Sequence, residues 1–420
     1  MGIKKHIRNN LLIFILCISM VCLVFSKYGL SMSLIALVSM LFFLKETETE
    51  YVLGLNPKIF KRPSSKNLFP FTGFLLFFLW IIVSVLWSGG QYAAWFSDVQ
   101  SKLTILGAAV IFSLLPDFSN RDILRLHQIF SGAVFIGLLL VLCVYIPGYE
   151  DITLRIGRGR PIPTPIDHVR FSLMVSYACL SFAVFFIEGK RAGLGPKEKG
   201  FMLAGSILFF AFCHLLAVRT GLMLLYLGLF GLIVFYIFKR KKFLLGTLIL
   251  VLLGIIPVIA YYTVESFRNK VYYTKYDIEQ MLSNDGKNKS DGDRVRSIQE
   301  GISVWKKHPL LGTGAGEYKS EMTAYHFEHA PGTKNLLPHN QYVRAGMAYG
   351  WIGLILLLSG FGIILARRES WFNFLLLLIC LLLFISLLVE SNLDRYYALA
   401  FFMLFLGINS KLSWKGNLVS

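Results

Sequence analysis

The residues best suited to chemistry lie in PHNQYVRAGMAYGWIG, which begins at Pro338 and runs into a long apolar stretch. His339 is the histidine that opens such a stretch amid other polar groups. A helix N-terminus disfavours imidazolium, so a neutral ring placed there can accept a proton as a general base. The competing reading is an interfacial histidine bonded to a loop carbonyl.

Cations gather at the ends of neighbouring apolar runs. Arg155, Arg158, Arg160, His168 and Arg170 surround one entry, Arg219 sits between two runs, and Arg294 and Arg296 open a polar helix. Arg344 follows His339, and Asn392, Asp394 and Arg395 separate the last two runs. Guanidinium forks hold phosphate oxygens bidentately, and a helix start adds N–H groups and a positive dipole end. If these ends converge, they form a cationic pocket for an anion whose lipid tail stays in the bilayer, such as a lipid-linked diphosphate. An arginine at a run end also serves as a snorkelling anchor, so each residue carries both readings.

The elements that must position these groups are membrane helices. The 420 residues are 55% hydrophobic and 15% aromatic, with a mean hydropathy of +0.62, well above that of an ordinary soluble domain. Apolar runs long enough to cross a hydrocarbon core recur along the chain, and the period-2 alternation of a barrel is absent. The expectation is an all-α polytopic protein of about twelve spans. They are placed at 9–26, 29–45, 70–88, 100–116, 126–146, 169–187, 201–217, 220–238, 243–262, 340–365, 371–389 and 395–410.

The 42 Lys and Arg against 24 acids suggest nucleic acid only until their positions are read: they concentrate in short alternate connectors. By the positive-inside rule, the stretches KKHIR, KIFKRPSSK around Arg62, GKRAGLGPKEK, KRKK and ARR put both termini in the cytoplasm. The n-region-like start lacks a small-residue cleavage site and reads as a retained first helix. The chain divides into a bundle over 1–262, an outer loop subdomain over 263–338 and a second bundle over 339–420. Within the loop, Val295, Ile298, Ile302 and Trp305 recur at helical spacing, with Asp293 as cap. Gly346, Gly350 and Gly353 share a face with His339 and suit close helix packing.

Other motifs fail. GTGAGEYKS lacks the Walker spacing, no HExxH, GxSxG or CxxC occurs, and no carboxylate cluster such as DxD lies at an outer span end, so neither metal nor cofactor is expected. The six cysteines all lie within apolar runs, as small buried hydrophobes. Asn288, Lys289 and Ser290 match a glycosylation acceptor by a pattern too short to weigh. The absence of related halves and of midplane polar residues argues against a lipid-oligosaccharide flippase or other transporter.

The segment DRVRSIQEGISVWKKHPLLGTGAGEY, the later HNQYVRAGMAYGWIG and the RTG turn at Arg219 together resemble the signature of the O-antigen ligase and polymerase superfamily. Val218 and Tyr349 depart from the family's usual residues beside these motifs. The resemblance implies a GT-C-like bundle in the bacterial inner membrane, with an active site facing the periplasm. It implies a metal-independent transferase that moves a glycan from undecaprenyl diphosphate to a lipid A-core hydroxyl. A polymerase acting on a lipid-linked glycan and a protein O-oligosaccharyltransferase are the related alternatives. By position, His339 corresponds to the family's acceptor-activating histidine, and Arg219 and Arg294 to its diphosphate-binding arginines. Arg296, Arg158, Arg160, His168 and Arg344 stand outside the motif and are secondary candidates.

Overall fold

The computed structural model describes residues 3–46, 50–56, 68–282 and 290–412. The basic stretch around Arg62 lies outside them, and the tripeptide at Asn288 begins outside them.

Every predicted span falls on a helix. These are α1 (Lys5–Phe25), α2 (Lys27–Phe43), α3 (Thr72–Val83), α4 (Tyr92–Leu114), α5 (Asn120–Tyr145), α7 (His168–Ile187), α8 (Pro196–Leu216), α9 (Arg219–Arg240), α10 (Phe243–Thr263), α14 (Gln341–Ala366), α15 (Phe374–Val389) and α16 (Tyr396–Ser410). Four further helices join them on the connectors: α6 (Tyr149–Gly157), α11 (Glu265–Leu282), α12 (Ser290–Lys307) and α13 (Tyr318–His329). Among the described residues six helices, α5, α7, α8, α9, α10 and α14, are long and apolar enough to cross a membrane, and five shorter apolar helices accompany them. The fold departs from all-α at one place, a short antiparallel sheet of order β1 (Ile3–Lys4), β3 (Glu50–Leu53), β2 (Leu44–Glu46). The aromatic and β-branched pair Tyr51 and Val52 favours that pleated pairing.

Helix α7 is the hub. Its apolar window is 83% buried, against 11% for α10, whose bare leucine and isoleucine face suits lipid. The predicted span at 100–116 is longer than expected: α4 starts at Tyr92 and carries Asp98 and Lys102 within it, both buried. Charge inside a helix is tolerated here because it is paired, as described below.

The GTGAG turn has a structural role. Helix α14 breaks at Gly350, which adopts φ +67° and ψ −169°. The loop after α12 fills the break: Thr313 and Gly314 donate N–H bonds of 3.0 and 2.9 Å to the carbonyls of Met347 and Ala348, while Trp351 N–H donates to the Pro309 carbonyl at 2.8 Å. Trp80 Nε1 donates to the Tyr349 carbonyl at 3.2 Å. Non-helical backbone in a membrane helix persists only where protein satisfies it, and this loop does so. A Cβ on Gly350 would overlap the Leu310 carbonyl, so glycine is required by contact as well as by φ. The expected single glycine face is therefore interrupted. Gly346 and Gly353 keep the simple packing role, with the Trp305 ring 2.5 Å and the Trp80 ring 3.2 Å from where their Cβ atoms would stand.

The outer helix α12 also turns a different face inward. Asp293, Ser297, Glu300 and Val304 are buried, whereas Val295 is exposed. Asp293 lies inside the helix, not at its cap. The reason is polar: the buried side meets partners, with Arg296 on Asp293 at 2.5 Å and His326 Nδ1 on Glu300 at 3.1 Å.

Candidate active site

Asp167 starts the site. It caps α7, accepting from the N–H groups of Val169 and Arg170 at 3.2 and 3.3 Å, and its carboxylate also binds the Arg170 guanidinium at 2.8 Å. One residue thus ends the Pro-rich connector, begins the helix and aims Arg170. The other side of Arg170 reaches Glu390, which follows α15, at 3.3 Å.

Glu390 joins four elements. Its Oε2 lies 3.7 Å from His339 Nδ1, and its Oε1 lies 3.2 Å from Arg294 Nη2. The carboxylate is buried, while the His339 and Arg294 side chains remain 29% and 33% exposed. Burial alone would raise the Glu390 carboxyl above its usual range; the His339 ring beside it and the charges of Arg170 and Arg294 outweigh it and hold the group lower. A carboxylate on one imidazole nitrogen fixes ring orientation and leaves the other nitrogen to meet a substrate proton.

His339 does not begin α14. Asn340 is the N-cap, accepting from Tyr342 and Val343 N–H at 2.9 and 3.0 Å, so His339 stands just before it, outside the helix. The expected dipole effect therefore gives way to Glu390 as the nearer influence.

A second cluster lies alongside. Lys102 Nζ sits 2.8 Å from Asp98 Oδ1 and 2.6 Å from Asp394 Oδ1, and Arg344 Nε sits 3.1 Å from Asp394 Oδ2. Tyr318 accepts from Arg344 at 3.1 Å and donates to Asp98 at 3.2 Å, and the Tyr349 hydroxyl also donates to Asp98. Two cations meet two anions with the lysine 1% exposed, so this network is closed and internally neutral. Arg344 is thereby committed to a structural ion pair. Arg296 is likewise held by Asp293, by Glu300 at 3.8 Å and by the Lys334 carbonyl.

Arg219 opens α9 and lines a mainly apolar cavity of about 640 Å³ between that helix and α11, with Leu222, Phe267, Lys270 and Ile278. Lys270 donates to the Gly159 carbonyl at 3.4 Å, which brings the exposed Arg158 and Arg160 to the rim. His168 links the two regions, since the charges of Lys270, Asp167, Arg170 and Glu390 all reach it. The structure thus joins Arg294 to His339 through the shared Glu390 carboxylate, while Arg219 lines the apolar cavity, Arg158 and Arg160 flank the Gly159 that Lys270 contacts, and His168 opens α7.

Glu390, Lys102 and Asp98 were not singled out by the sequence reading. Glu390 ends an apolar run and sits 51 positions from His339, with no spacing motif to connect them. Its signal was only that of a carboxylate at a run end among arginines.

A helical bundle that is apolar on the outside, with a polar, half-open charged cluster under a layer of connector helices, defines a membrane-embedded protein with a site at one end of the bundle. Residues 204–358 match the family model described as O-antigen ligase. The match takes in Arg219, Arg294, Arg296, His339 and Arg344 and stops before Glu390 and Asp394. No curated protein matches the chain.

Proposed function

We propose that the protein transfers a glycan from undecaprenyl diphosphate to a hydroxyl of lipid A-core on the periplasmic face of the inner membrane, with both termini cytoplasmic. The observation that carries this reading is the sharing of Glu390 between His339 and Arg294. The acceptor hydroxyl attacks the anomeric carbon, its proton passes to the nitrogen of His339 that faces away from Glu390, and the carbon–oxygen bond to the diphosphate breaks. Arg294 takes up the charge that develops on the departing diphosphate, and Arg219 with Lys270 holds the same headgroup at the mouth of the apolar cavity that receives the prenyl tail. Arg158, Arg160 and His168 lie along the approach and steer the anion. The segment 263–338 forms the periplasmic layer over the site.

Such a leaving group departs readily, so the protein's work is charge neutralisation and orientation, and a general base adds about 10² to 10⁴ in rate. Neither step calls on a metal. The test is a donor titration with purified protein and lipid-diphosphate glycan. Arg294→Ala and Arg219→Ala are expected to weaken donor use, and unchanged donor affinity and turnover in both would sink the diphosphate role. Profiling glycans after gene deletion assigns the acceptor. Long chains left on the carrier mark a ligase, single repeats mark a polymerase, and donor retained in the cytoplasm marks a flippase.

A further inference from the structure

A second cavity, of about 770 Å³, lies on the other flank of the α7 start. Asp167, Arg170 and Asp394 border it, so it adjoins both charged clusters. Its walls contrast with those of the Arg219 cavity. Ser97, Gln100, Ser101 and Thr104 of α4 recur at helical spacing and turn one continuous hydroxyl and amide stripe toward it, and Tyr396 and Tyr397 of α16 supply aromatic surface. Ser101 donates to the Asp98 carbonyl at 2.7 Å and accepts from Lys102 at 3.3 Å, while Ser97, Gln100 and Thr104 face the cavity on a helix that elsewhere buries Ile105, Ala108 and Phe112.

The charges are unequal. Asp167 is engaged by Arg170, and Asp394 by Lys102 and Arg344. Lys27, over the Tyr396 ring at 5.6 Å, and the exposed Arg395 also line the space and add positive charge beyond those pairs. The volume falls within the range of a small-molecule site.

We propose that this cavity is a saccharide subsite that holds the acceptor glycan and prefers sugars with an acidic substituent, a carboxylate or a phosphate. The stripe on α4 supplies donors and acceptors for ring hydroxyls, the tyrosines stack against the apolar face of a sugar, and Lys27 and Arg395 meet the acidic group. The assignment of this sugar to the acceptor rests on the transferase reading, because the apolar cavity at Arg219 is the one suited to a lipid tail; binding itself does not depend on it.

The test reads sugar binding without donor, so it stands whether or not transfer occurs. Glucose, glucuronate and glucose 6-phosphate are titrated onto full-length protein in neutral-lipid nanodiscs and followed by saturation-transfer NMR. Glucuronate and glucose 6-phosphate are expected to bind more tightly than glucose. Gln100→Leu and Thr104→Val are expected to weaken all three by about three- to tenfold each, the loss of one or two hydrogen bonds. Lys27→Ala with Arg395→Ala is expected to remove the preference for the acidic sugars while leaving glucose binding in place.

Absence of binding by all three sugars, or binding unchanged in the α4 variants, overturns the subsite. Equal affinity for glucose and the acidic sugars overturns the charge preference. Repeating the titration with phosphatidylglycerol in the disc separates the two anion sources: loss of sugar binding there makes a lipid headgroup the occupant and overturns the saccharide assignment. With donor added, Gln100→Leu should raise the acceptor KM and leave the donor KM unchanged; a rise in donor KM instead would assign the cavity to the donor.

Discussion

Two charged clusters stand side by side at one end of the bundle, and they are built on opposite principles. Around Lys102 each charge has its partner, the four ionic groups cancel and two tyrosine hydroxyls close the remaining valences. Around Glu390 one carboxylate serves Arg170, Arg294 and His339, and two of those three side chains are about a third exposed. The charges of the closed cluster are spent on one another. The open one keeps guanidinium and imidazole surface available, which is what an anionic substrate with an acceptor hydroxyl requires. Proximity to the site therefore does not identify a functional charge; spare valence does.

The comparison can be broken most severely from the closed side. Lys102→Met leaves Asp98 and Asp394 buried without their shared cation, and loss of one partner from a buried pair costs about 3–5 kcal/mol. The expected outcome is a large fall in melting temperature in detergent; wild-type melting would show that the network is dispensable. Next comes the seam beneath both clusters. Gly350→Ala forces a side chain into a backbone region nearly reserved for glycine and against the Leu310 carbonyl, which costs upward of about 1–3 kcal/mol. It should lower melting and loosen amide-exchange protection over 309–314, and unchanged protection there would contradict the interlocked loop.

The smallest effect comes from titrating the open side. The Glu390 carboxyl is held below its usual range, so its contribution to stability is complete above the unfolded carboxylate pKa, about 4.3, and is lost as pH falls through the lowered folded value. Acid titration of melting temperature should therefore be steeper in wild type than in Glu390→Gln. Identical slopes would mean that the carboxylate is not stabilised by its neighbours.

The sequence made the helices legible because hydropathy is a local property: each of the twelve apolar runs lies on a helix, although α4 extends well ahead of its run. His339, Arg219 and Arg294 are singled out by local motifs, and the structure brings His339 and Arg294 onto one carboxylate. What escaped was pairing at a distance. Asp98 and Asp394 meet through Lys102 across nearly 300 residues, and Glu390 meets His339 across 51, separations on which spacing carries no signal. The same blindness left Arg344 and Arg296 as secondary candidates with no sign that Asp394 and Asp293 hold them. The inward face of α12 was misread because the buried side is polar, and hydrophobic periodicity cannot find a face held by Asp293, Ser297 and Glu300. The α14 break required seeing which backbone groups the GTGAG loop satisfies.

The proposed division between a cluster that holds the bundle and one that performs chemistry is tested most directly by His339→Ala. Its side chain is partly exposed and lies outside the helix, so melting should stay close to wild type while transfer from purified lipid-diphosphate donor falls by about 10² to 10⁴. Transfer that persists at the wild-type rate in the folded variant would contradict the account.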